Sequence, residues 1–220
     1  CQHSKSAPGR GMGLESEHSV RTAGRARHLW LLGGATAIAM LGLPLRLYDL
    51  GLGSFWVDEA YSARIAAQPA LEIIRITAGD VHPPLYYLLL RAWILTFGSS
   101  EAQLRSLSMV LDLFATVAIA DLAWVLFRRR GLALTASAIH ALSPFAILYS
   151  QELRMYSQFL LLSTLSAAWL VRALRSGSLL ACCAYVLATT LVVYTHIFGF
   201  FMLAGQAAFV LLGARFPRFR

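Results

Sequence analysis

Two adjacent carboxylates stand in the segment Phe55-Trp56-Val57-Asp58-Glu59-Ala60-Tyr61-Ser62. Neighbouring residues on a helix point about 100° apart, so both acids cannot face one atom. One is suited to act as a general base while the other holds a partner or a cation. Equally, the pair could simply mark a helix start, where the dipole favours acids. A second polar group lies in Asp80-Val81-His82-Pro83-Pro84-Leu85-Tyr86-Tyr87. Its prolines impose an extended approach followed by a helix. That leaves Asp80 and His82 at a helix mouth, as turn residues or as site residues. A third, Ser150-Gln151-Glu152-Leu153-Arg154-Met155-Tyr156-Ser157, packs two opposite charges into a short turn. His196 in Tyr194-Thr195-His196 is a minor candidate. Asp112 and Asp121 fall inside apolar runs, where charge is costly and points to function by default. Asp121 is read as reaching toward Arg128, and His140 as hydrogen-bonded packing.

The elements that must position these residues follow from composition. Of 220 residues, 58% are hydrophobic and 14% charged, with mean hydropathy +0.62. This excludes a disordered chain, a coiled coil and a small disulfide scaffold, and argues against a soluble enzyme. The class expected is all-α, a polytopic transmembrane helical bundle. A net charge of +8 would suggest nucleic acid in a soluble protein, yet no nucleic-acid motif accompanies it. The basic residues are read as orienting the chain in a bilayer. Cys182 and Cys183 show no metal or disulfide spacing. The chain opens on Cys1 and not on Met, so a truncated protein is expected.

Residues 1–28 read as a disordered cytoplasmic tail. Six spans are expected over 29–45, 107–127, 131–149, 155–174, 179–195 and 197–214, with a short cytoplasmic end at 215–220. The segment 83–98 is apolar but short, and Arg91 stands at its middle. If it lies at the interface, the tail, Arg128, Arg129, Arg130, Arg172, Arg175, Arg215, Arg218 and Arg220 all face inside. If it crosses, the arginine triplet faces out. The positive-inside rule favours the first arrangement. Residues 46–106 then form one long external loop carrying Asp49, Asp58, Glu59, Glu72, Asp80 and Glu101. Its aromatic and apolar content predicts interfacial helices, over 57–67 and 71–78, with Pro83 or Pro84 opening a third.

The ordered set Arg46-Leu47-Tyr48, Trp56-Val57-Asp58-Glu59-Ala60, Asp80 to Tyr87, Arg105-Ser106-Leu107-Ser108, Ser143-Pro144 and Ser150 to Tyr156 resembles bacterial family-39-type membrane glycosyltransferases. These belong to the GT-C class, with protein O-mannosyltransferases and aminoarabinose transferases among their relatives. The resemblance covers about residues 29–214. It implies a polyprenyl-phosphate sugar donor, a lipid, glycan or protein acceptor, and an active face outside the cell membrane. It implies that the first external loop carries the catalytic acid, which matches Asp58. On this reading Arg154 and Arg105 are candidates to grip phosphate. Glu59, Asp80 and His82 would orient the base or hold an optional divalent cation; no cofactor is required and no metal ligand set is assigned. Gln151, Tyr156 and His196 complete the expected substrate-binding or supporting set. The family is typically more than twice this length.

Two other classes compete. A transporter or flippase of lipid-linked glycans would place functional charges near the bilayer midplane, often on broken helices. A truncated, non-catalytic homologue would keep the membrane domain without turnover.

Overall fold

The computed structural model of the protein describes residues 11–213. They form α1 (Gly11–Leu47), α2 (Val57–Ala66), α3 (Ala70–Ala78), α4 (Leu85–Phe97), α5 (Glu101–Phe127), α6 (Arg130–Leu142), α7 (Pro144–Ser150), α8 (Tyr156–Ser176), α9 (Leu179–Val193) and α10 (Gly199–Gly213). No strand occurs among the described residues. Three helical stretches are long and apolar enough to cross a membrane: Ala26–Leu47, Glu101–Phe127 and Tyr156–Ser176. The pair α6 and α7 supplies a fourth if counted as one bent span.

The helices differ in form from several of these expectations. The span expected over 131–149 is broken by 61° between α6 and α7. Pro144 has no N–H to continue the ladder, and Ser143 before it is extended. The spans expected over 179–195 and 197–214 are helices of 15 residues each. At 1.5 Å per residue each covers about 22 Å, short of a hydrocarbon core of about 30 Å. Part of the tail expected to lack structure is helical, because α1 starts at Gly11. An apolar helix already nucleated propagates into adjacent residues at low cost. Residues 1–10 and the end at 215–220 lie outside the described residues.

α5 is the hub, touching α1, α4, α6, α7 and α8. Its buried alanines Ala115, Ala118, Ala120 and Ala123 let neighbouring backbones approach closely. A capping box opens it: Gln103 N donates to Ser100 Oγ, and Ser100 N donates to Gln103 Oε1. α1 meets the bundle through Leu31, Ala35, Ala39, Gly42 and Arg46, a helical stripe of buried residues.

The two ends of the bundle differ. At the tail end, Arg172 grips both oxygens of Asp121 at 2.6 and 2.7 Å, and His28 adds a contact at 2.9 Å. Arg175 donates to the carbonyls of Val125 and Leu126. Arg128, the partner expected for Asp121, instead lies over the Trp124 ring. At the opposite, loop end, residues 48–100 fold into a cap with its own core. Ile65, Ala66, Ile73, Tyr86, Tyr87 and Leu90 pack there against Leu104, Leu107, Leu153 and Met155.

α4 belongs wholly to this cap. Leu85 N, at its start, donates to Tyr194 O beyond the end of α9. Trp93, near its finish, donates to Gln103 O at the start of α5. Both ends of α4 therefore meet the loop end of the bundle.

Candidate active site

The two acids of α2 do point apart, and their surroundings differ. Glu59 is 1% exposed. Arg105 embraces it as a fork, with Nε on Oε1 at 2.9 Å and Nη2 on Oε2 at 2.7 Å. Leu153 N donates to Oε1 at 2.9 Å. Arg105 Nη1 also reaches the carbonyls of Leu50 and Gly53, and its guanidinium lies over Phe55. Glu59 thus ties α2, α5 and the 151–155 turn together. Burial alone would raise its pKa. The Arg105 hydrogen bond, the Leu153 N–H and the charge of Arg105 outweigh that and hold it below the usual range.

Asp58 keeps 44% of its side chain exposed and faces Arg154 Nη2 at 3.6 Å. Arg154 is itself 5% exposed. Its other contacts are long: Nη1 to Asp58 O and Nη2 to His82 Nε2, both 3.5 Å. Its Nε is buried with no hydrogen-bond partner among the described residues. Tyr156 stacks beside it, ring centre 5.9 Å from the guanidinium carbon. A buried cation with such loose partners is costly unless an anion completes its set. Of the two arginines expected to grip phosphate, Arg105 is fully engaged by Glu59 and the cap carbonyls, whereas Arg154 retains donor capacity.

The second motif joins the same place. Asp80 accepts from Tyr61 Oη at 2.5 Å and from the backbone N–H of His82 at 3.3 Å. His82 Nδ1 is 3.3 Å from the same carboxylate. Burial would raise Asp80, but the bonds from Tyr61 and His82 hold it low; Asp80 in turn pushes the Tyr61 phenol up. Because guanidinium only donates, the arrangement sets His82 with its proton on Nδ1 and the lone pair of Nε2 toward Arg154.

His196 arrives from beyond α9, its ring 5.8 Å from that of His82 and near Tyr156, Phe159 and Phe198. Its Nδ1 accepts from Phe198 N. Burial, then the electrostatic influence of the neighbouring His82 ring and the Arg154 guanidinium, lowers its pKa and favours the neutral ring. Gln151 is the exception among the expected residues. Its amide donates to the carbonyls of Arg46 and Tyr48, at 3.2 and 2.6 Å. It caps α1 and does not join the Asp58–Arg154 group.

The chain matches no family model, no curated protein and no solved structure.

Two further residues enter the site that sequence reasoning did not select. Glu152 makes no side-chain hydrogen bond among the described residues. Burial, then the charge of Glu59, raises its pKa. Its place between Gln151 and Arg154 in the third motif was the available signal. Tyr87 is fully buried and its hydroxyl has no partner among the described residues. Burial raises it, and Arg154, Asp80, Tyr61 and Asp58 all act on it electrostatically. Among the described residues, no group of three His, Cys, Asp or Glu side chains is placed to hold a metal ion.

Proposed function

We propose that the chain is the membrane-embedded module of a GT-C-type glycosyltransferase. It would take a sugar from a polyprenyl-phosphate donor and pass it to an acceptor at the outer face. The observation that carries this reading is Arg154, a buried guanidinium with unfilled donor capacity beside the half-exposed carboxylate of Asp58. A lipid phosphate is an anion that fits the first, and an acceptor hydroxyl is a proton source that fits the second. Phosphate binding to Arg154 also loosens its hold on Asp58.

The step then balances without a cofactor. The acceptor oxygen bonds to the anomeric carbon as its proton passes to Asp58. The bond from that carbon to the phosphate oxygen breaks, and the electron pair leaves with the lipid phosphate. His82, set by Asp80, and the Tyr156 ring position Arg154; Glu59 and Arg105 hold the helix that carries Asp58. Six crossings with a cytoplasmic N-terminus accommodate the basic tail end and the acidic cap. The short α9 and α10 would cross with local thinning of the bilayer.

The test is transfer from a polyprenyl-phosphate sugar by the whole protein in membranes. Asp58→Asn and Arg154→Gln should each reduce turnover at least about 100-fold. Undiminished turnover in Asp58→Asn would remove it from the role of base. Active binding without turnover by the parent would favour a non-catalytic homologue.

The broken α6–α7 pair favours a second reading, a flippase of lipid-linked glycans. Against it, the Asp58–Arg154 group gathers at the loop end, outside the candidate spans. Movement of a lipid-linked glycan across vesicles by the purified protein would support the second reading.

A further inference from the structure

Beside the α6–α7 break lies a cavity of about 280 Å³ that the transfer step above does not use. Asp112, His140 and Ser143 line it with Ala146, Tyr149 and Tyr156, and the larger part of its wall is apolar. Asp112 is 2% exposed. Its Oδ2 accepts from Arg46 Nε at 2.7 Å, and its Oδ1 faces His140 Nε2 at 3.0 Å. Since an ionised carboxylate only accepts, His140 donates from Nε2, which leaves the other ring nitrogen, Nδ1. That Nδ1 has no partner among the described residues, and neither does Ser143 Oγ. Arg46 is held in place by the carbonyls of Gly42 and Ala141. A side chain at position 42 would collide with it, since an added Cβ would meet Arg46 Nη1 at 2.8 Å.

Charge narrows the ligand. The Arg46–Asp112 pair is balanced, so the cavity offers no net charge to an amine. The carboxylate on its wall repels a phosphate. A prenyl chain would leave His140 Nδ1 and Ser143 Oγ without partners. A neutral ring bearing hydroxyls, which both donate and accept, suits the open ring nitrogen, the serine hydroxyl and two flanking tyrosine rings. The volume is at the small end of ligand pockets, which start at about 300 Å³, and fits one ring better than an oligosaccharide. The cavity is also next to the site: Tyr156 lines it and stacks by Arg154, and Tyr149 is 5.0 Å from Tyr156. A broken helix that lines a hollow with a few polar groups is where membrane proteins tolerate such groups.

We propose that this cavity receives the sugar ring of the donor, with His140 and Ser143 as its specificity-determining hydrogen-bonding residues. The proposal rests on the transferase reading. The phosphate would lie on the Arg154 side of Tyr156 and the sugar on the Tyr149 side.

The test compares polyprenyl-phosphate mannose, glucose and galactose with bare polyprenyl phosphate, using the whole protein in nanodiscs. Binding is read by thermal stabilisation and transfer by kcat and KM. The parent should bind at least one sugar-bearing lipid about 10-fold more tightly than the bare lipid. His140→Ala, Ser143→Ala and the cavity-filling Ala146→Leu should erase that preference while leaving affinity for bare lipid phosphate unchanged. Ser143→Ala and Ala146→Leu avoid the buried ion pair, so a fold defect in His140→Ala does not decide the result. A parent that binds bare and sugar-bearing lipid equally overturns the subsite and leaves the transferase reading standing. Retention of the parent's preference in all three variants also overturns it. A parent that binds no lipid phosphate overturns both.

Discussion

Two arginines of the same chain do different work because their partners differ. Arg105 has a bidentate carboxylate, two carbonyls and an aromatic face. Arg154 has contacts of 3.5 Å or longer and an orphaned Nε. Glu59→Gln should therefore destabilise the protein by about 3 kcal/mol, since it strands a buried cation. Thermal unfolding in detergent reads this, and adding Arg105→Met should recover part of the loss. Arg154→Gln should leave the melting temperature unchanged or raise it while abolishing lipid-phosphate binding. The acids also set a pH dependence. Glu59 and Asp80 lie below the usual range, so the stability they confer is full above about pH 4 and is lost as pH falls through their folded values. Glu152 has the opposite sign. Its raised pKa means that ionisation opposes folding as pH climbs from about 4 through the folded value. Glu152→Gln should raise the melting temperature at pH 7 and change nothing at pH 3.

Elements were legible wherever the signal was local. The acids at 58 and 59, Pro69 and the pair at 83 and 84 marked α2, α3 and α4 to within a residue or two, because proline and helix-start chemistry act at short range. The Ser143-Pro144 break was not drawn from the sequence, though its proline was visible. An apolar run of that length looks like one straight span to any hydropathy count, and only packing against Arg46 and Asp112 shows what the break accommodates. The same applies to partner choice. Asp121 chose Arg172 and His28, which are distant in sequence, over Arg128 just past the end of its own helix. The break is testable as an element. Pro144→Ala restores an N–H donor and removes the steric bar to a continuous helix. It should hold or raise the melting temperature while lowering transfer at least about 10-fold, because straightening α6–α7 closes the adjoining cavity. Unchanged turnover with a straightened helix would detach the break from function.

For the molecule as a whole, the charges divide between two ends that the sequence could order but not pair. The tail end is bound by Arg172, Arg175, Asp121 and His28, and the loop end by the Glu59–Arg105 clamp and the cap core. Whether α4 crosses decides the orientation of everything after it, and hydropathy alone leaves that open. The contacts of α4 speak to it directly. Its start touches Tyr194 and its finish touches Gln103, both at the loop end. A helix of 13 residues spans about 20 Å, and contacts of both its ends with the loop end of the bundle accord with the proposed arrangement in which α4 lies at the interface. Ser54 and Ser99, the exposed residues that bracket the cap, should therefore share one side of the membrane. With Cys1, Cys182 and Cys183 replaced by serine, Ser54→Cys and Ser99→Cys should both react with an impermeant maleimide in intact cells. Ser178→Cys, between α8 and α9, should react only after permeabilisation. Opposite reactivity of positions 54 and 99 would mean that α4 spans, and it would turn Arg128, Arg129 and Arg130 outward against the positive-inside rule.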